Sequence, residues 1–371
     1  MYFKYCLLLV VSVLLFSCGK PQKSDGKSGL NNVDISKIKD AEKDAELVFL
    51  STDYKTITHI HFLLAQKSYS IEGGDFYLTS VGDKVYLASG DDRGELYTFS
   101  NSGVSLLTEQ LDIYKKTQKI LEVDGEIYRV NRDSCTFSPM SGQKEINLST
   151  YSDTAEYCRP GKIYGSENGA EENKLFELIS FESEKLAITF DKIIKLSGEN
   201  LEPAHFSNLS FGNPYAYGVT QYFDYLFVAQ SGPYLANWNS GIDIFNSIGE
   251  LSLSYDMESL GLKGQRILAL EMTPLRELIL LTSEGFSTSH IYRILPFDLA
   301  VGTAKLEKLY SHAGYIGAIT YSSSSDMLYI SSPDGIILYS MDKREVTGEI
   351  HSLKYGESTI ELKNVSKALL L

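Results

Sequence analysis

Two histidines in "THIHF", His59 and His61, have the spacing that puts both imidazoles on one face of an extended strand, where they could share a metal ion. No third ligand is identifiable, so the plainer reading is two surface histidines on a strand. Adjacent carboxylates stand at Asp91-Asp92 and Glu171-Glu172. Such pairs can bind calcium or supply a general acid, but in turns they are ordinarily solvated. The loop "SGPYLANWNSG", residues 231–241, carries Tyr234 and the single tryptophan, Trp238, and follows Tyr215 of "FGNPYAY" closely. Tyrosine and tryptophan lose little side-chain entropy on docking and dominate interface hot spots, so these three residues form a candidate partner site. No Gly-rich phosphate loop, Gly-x-Ser-x-Gly elbow, His-Glu-x-x-His or calcium-loop signature is present. The chemistry on offer is binding more than turnover, and no cofactor or metal is expected.

These residues sit in a chain that reads as β-structure. Tyrosine and β-branched residues are abundant, Gly recurs in short turns, and no long stretch keeps helical periodicity. The stretch "MLYISSPDGIILYSMDKREVTGEI", from Met327, is strand, tight turn, strand, charged turn, strand. It recurs as "KVYLASGDDRGELYTFSNSGVSLLTE" from Lys84 and "EIYRVNRDSCTFSPMSGQKEINLS" from Glu126, with looser copies from Lys162, Tyr225 and Glu277. Tyr86, Tyr128 and Tyr164 are 42 and 36 residues apart, a period that suits four strands per propeller blade. Fourth strands fit upstream of the copies at Phe76 to Ser80, Gln118 to Val123, Tyr215 to Thr220, Arg266 to Met272 and Ile316 to Tyr321. The strands between Phe176 and Phe206 make either their own blade or part of the copy at Lys162. The expected fold is therefore an all-β propeller of six to eight four-stranded blades, with seven the favoured count. A ring removes exposed strand edges only if its ends meet, so "AELVFLSTDY" and "STIELKNVSKALLL" are expected to share a blade.

The repeat "LYISSPDGIILYSMDKREVTG" resembles that of pyrroloquinoline-quinone-type (quinoprotein-like) propellers, a WD-like pattern with an aliphatic-Tyr strand, a Ser/Asp/Gly turn, a Leu-Tyr strand and a closing Thr-Gly. Cofactor-binding members use a vicinal cysteine pair and a series of docking tryptophans. This chain has no adjacent cysteines and only Trp238, so the resemblance implies the architecture without quinoprotein catalysis. The lipid-anchored propeller that serves as scaffold in the outer-membrane β-barrel assembly machine is similar in architecture.

The N-terminus supplies the anchor in that comparison. Residues 1–17 read as a signal peptide: Lys4 precedes an apolar run too short to span a bilayer. The run ends Leu15-Phe16-Ser17-Cys18, which resembles the lipobox of bacterial lipoproteins, although Phe16 is larger than usual there. The resemblance implies acylation of Cys18, palmitate included, and attachment that does not cross the membrane. Gly19 in the next position implies the outer rather than the inner membrane. Residues 18–45 are the lipidated cysteine and a polar flexible tether, and 46–371 the propeller.

Removing residues 1–17 deletes Lys4 and no acid, leaving 33 basic against 48 acidic side chains. That balance excludes a free nucleic-acid partner and disfavours direct adhesion to anionic lipid, so the lipid anchor is the expected membrane contact. Cys135 and Cys158 are the remaining cysteines; they either pair as a disulfide or stay buried free thiols. In propellers the turn between second and third strands shares a face with the connection into the first strand. Tyr215, Tyr234 and Trp238 should therefore sit together, with Asp91, Asp92, Glu171 and Glu172 as an acidic rim suited to a basic or polar partner. The functional expectation is a monomeric, membrane-anchored, non-enzymatic scaffold for an envelope protein or polar ligand. The alternative is a hydrolase or lyase acting at the central channel.

Overall fold

The computed structural model describes residues 47–52, 57–62, 67–72, 76–81, 84–89, 96–100, 103–106, 119–131, 136–142, 145–148, 177–182, 184–188, 192–197, 201–211, 215–231, 240–285, 287–355 and 358–370. They form seven four-stranded antiparallel blades in a ring. In chain order, blades 1 to 6 begin with the strands Phe76–Val81, Lys119–Val123, Glu177–Phe181, Tyr215–Tyr222, Arg266–Met272 and Ala318–Ser322. Each later strand of a blade pairs with the one before it. The strands between residues 176 and 206 make a blade of their own, blade 3, which resolves the alternative left open above. The copy read from Lys162, with Tyr164, lies outside the described residues.

Blade 7 is built from both ends. Its order is Lys67–Glu72, Ile57–Phe62, Leu47–Thr52 and the C-terminal strand Lys367–Leu370, with Leu47 opposite Leu370 and Val48 opposite Leu369. The C-terminal strand takes the innermost place, between the first strands of blades 6 and 1. The expected sharing of a blade is thus realised. A hairpin that the repeat pattern does not contain, Ser352–Tyr355 with Ser358–Glu361, precedes it.

Successive side chains of a strand point to opposite faces, and here each face meets a neighbouring blade. Leu47 and Phe49 pack toward blade 6, whereas Val48 and Leu50 pack toward blade 1. A strand covered on both sides must be apolar throughout, which is why "LVFL", "LILL" and "GIIL" show no polar alternation. Among the described residues there are seven apolar clusters, one for each contact between adjacent blades. The core is a ring of interfaces rather than one central mass.

Glycine permits very close backbone approaches both between blades and within one. A Cβ on Gly218, in the first strand of blade 4, would lie 2.4 Å from the Leu270 carbonyl oxygen of blade 5. Gly335 ends the turn "SPDG" at φ +139°, with the Ile350 carbonyl oxygen 2.1 Å from where a Cβ would stand. Only glycine satisfies both demands.

Candidate functional site

Because first strands are innermost, the turns that follow them meet at one mouth of the central channel. That end of the ring, the lower end, also carries the turns from third to fourth strands. The upper end carries the turns from second to third strands and the connections between blades. The lower turns are tight, and non-glycine residues adopt positive φ at Asp124 (54°), Glu182 (50°), Phe223 (48°) and Arg276 (61°). Sharp reversals leave these side chains projecting past the strand ends.

Together they line a cavity of about 500 Å³ with Ser180, Gln221 and Tyr222. The Arg276 guanidinium lies 4.5 Å from the centre of the Phe223 ring, and Tyr222 meets that ring edge-on at 4.6 Å. A guanidinium held over an aromatic face can still present its N–H groups to an anion. Asp124 faces Lys185 at 3.9 Å, and Lys185 in turn donates to the Tyr128 hydroxyl at 3.0 Å. Within the ring, Glu271 on the first strand of blade 5 keeps some solvent contact, yet burial raises its carboxyl to about 8. Largely neutral at pH 7, its carboxyl group can act as a proton donor.

The lower end is also the apolar end. Among the described residues eight large apolar side chains are well exposed, and seven of them lie in or beside its turns in blades 4 and 5: Phe223, Ile248, Leu251, Leu275, Leu295, Phe297 and Val301. Three flank or occupy helix α1, Pro296–Ala300, whose Pro296, Leu299 and Ala300 are buried while Phe297 points out. The eighth, Tyr315, lies in the connection between blades 5 and 6 at the upper end.

The sequence-derived candidates fall elsewhere. His61 is fully buried, which corrects the surface reading. Ser51 Oγ contacts its Nε2 at 2.7 Å and Ser68 Oγ its Nδ1 at 3.1 Å, so both ring nitrogens are engaged and neither can ligate a metal. Burial, with His59 beside it, lowers its pKa to about 3. Among the described residues no three His, Cys, Asp or Glu side chains gather closely enough to hold a metal ion. Tyr215 opens the first strand of blade 4 opposite Ser231, at the upper end where the loop containing Tyr234 and Trp238 departs. Asp91, Asp92, Glu171, Glu172, Tyr234, Trp238, Cys18, Cys135 and Cys158 lie outside the described residues.

Sequence reasoning missed the mouth residues, although "VDG", "FES", "YFDY" and "TPLREL" hold equivalent places between first and second strands. It also missed a relay across blade 5. The exposed Ser311 hydroxyl meets His290 Nδ1 at 2.9 Å, and His290 Nε2 meets Glu284 at 3.1 Å. The carboxylate favours the tautomer with the proton on Nε2, leaving Nδ1 to accept from the serine.

No family model matches the chain, and no curated protein matches it. Its fold is similar to that of a candidate 6-phosphogluconolactonase from Bacteroides fragilis, with a TM-score of 0.53 and 12% identity over 89% of this chain and 98% of that one. Looser likenesses are to the Kuenenia stuttgartiensis hydrazine synthase (TM-score 0.40, 9% identity, 78% of this chain and 71% of that one) and to a eukaryotic initiation factor (TM-score 0.39, 7% identity, 85% of each). At these identities the likeness is one of fold.

Proposed function

We propose that this chain is a propeller scaffold of the bacterial envelope, anchored through acylated Cys18, which works by docking through one end of its ring. The observation that supports docking is the gathering of seven exposed apolar side chains on the lower turns of two adjacent blades. Apolar side chains scattered singly over a surface mean little, but several gathered at one end of a fold mark a contact surface. The test is a photo-crosslinking residue at position 297 of the full chain, irradiated in intact cells, with one at Tyr315 as the upper-end control. Adducts to an envelope component from position 297 and not from 315 are expected. Equal background labelling at both positions would overturn docking at this end.

The alternative, a hydrolase at the channel mouth, has one observation in its favour. Asp124 and Glu182 line the same cavity as Arg276, the one cation among its lining residues. Arg276 would hold an anionic substrate while a carboxylate activates water. The candidate 6-phosphogluconolactonase of similar fold supplies the first substrate to try, 6-phosphogluconolactone. Turnover that Glu182→Gln abolishes would move the conclusion to this reading.

A further inference from the structure

We infer that what docks on the lower end is the lipid bilayer itself, so that the folded ring, and not only its acyl anchor, contacts the membrane. This rests on the docking reading above and names its occupant. Three observations distinguish lipid from protein. The first is residue type. Protein hot spots are built from Trp, Tyr and Arg, with Leu and Val under-represented. All seven exposed residues here are Phe, Leu, Ile or Val, which partition into hydrocarbon without leaving a polar group unsatisfied.

The second is shape. Phe223, Ile248 and Leu275 stand on three turns, Leu251 opens the strand after one of them, and Leu295, Phe297 and Val301 flank or occupy α1, each between 44% and 65% exposed. Protruding apolar tips suit a deformable hydrocarbon surface better than a rigid protein face. The flanking charges are mixed in sign, with Asp224, Glu250 and Asp298 against Arg276 and Lys305, which fits a zwitterionic headgroup layer.

The third is where the chain enters. Leu47 begins the second strand of blade 7, and second strands start at the lower end; its partner Leu370 ends there too. The 46 residues before Leu47, with Cys18 among them, are therefore joined to the ring on the same end that exposes the apolar tips. An acyl anchor at Cys18 holds the chain at the bilayer, and a chain that joins the ring at this end brings the apolar tips within reach of the same surface. The upper end, where Tyr215 and Ser231 stand, then faces away from the bilayer and is free to receive an envelope protein.

The experiment uses the full mature chain made without acylation, as Cys18→Ser, and vesicles of phosphatidylcholine alone. Co-sedimentation is expected, with Phe297→Ser and Val301→Ser together lowering the bound fraction about tenfold while melting stays unchanged. Replacing a fifth of the lipid with phosphatidylglycerol should not strengthen binding, given the excess of acidic residues. A Phe297→Trp variant should shift its emission to the blue on vesicle addition, which reports insertion even if the serine variants fold poorly. No blue shift, or binding that the double substitution leaves intact, overturns the inference. Protein adducts at position 297 in cells, with no vesicle binding, would leave docking standing and remove lipid as the occupant.

Discussion

Burying an imidazole between two serines forces it to stay neutral, and this gives His61 a measurable signature. Its folded pKa, about 3, lies below the value near 6.5 of an unfolded chain. Between those values the unfolded state binds a proton that the folded state refuses, so stability falls as pH drops through that window. The slope from this one residue is about 1.4 kcal/mol per pH unit, with no contribution above pH 7. Denaturant titrations from pH 7 to pH 4 should show this acid limb, and His61→Gln should flatten it while lowering stability at pH 7. An unaltered acid limb in the variant would mean that other groups carry it. The sequence showed the His-x-His spacing plainly. It could not show that Ser51 and Ser68 flank the ring on neighbouring strands, because that depends on a register between residues 47–52, 57–62 and 67–72.

At the scale of the strand, the backbone contacts near the axis set the tolerance for change. Gly218→Ala would drive a Cβ into the Leu270 carbonyl, and a Cβ on Gly317 would stand 2.9 Å from the Val365 and Ser366 carbonyl oxygens. Either substitution has to push apart two backbone segments in, or leading into, the inner strands, at about 1–3 kcal/mol. Gly249→Ala at a surface turn meets no atom within 4 Å and costs only the strain of φ +80°, about 1 kcal/mol. Parallel urea melts should rank the inner glycines as the more costly; the reverse order would mean that the first strands can yield. The strands themselves were legible. Arg266–Met272 coincides with the expected fourth strand, and Phe76–Val81 differs by one residue. A strand buried on both faces announces itself as an apolar run bounded by turn residues. The mouth was not legible, since Asp124, Glu182, Phe223 and Arg276 are ordinary turn residues until the ring brings four blades together.

For the whole molecule, the decisive contact is the C-terminal strand. Deleting residues 367–371 strips blade 7 of its innermost strand and exposes an edge of Leu47–Thr52 that is apolar on both faces. The truncated chain should melt at lower temperature and self-associate through that edge on size exclusion. A monomer of unchanged melting temperature would show that closure contributes little. That same strand imposes an order of events during biogenesis. Leu47 must find Leu370, and joining ends 323 positions apart costs about 3 kcal/mol more in loop entropy than closing a hairpin. Blades 1 to 6 can each zip up from neighbouring strands as they emerge, whereas the circle stays open until its last few residues have been synthesised. A nascent chain therefore keeps a gap in its wall through most of its production, an interval in which chaperones can reach the unpaired strands.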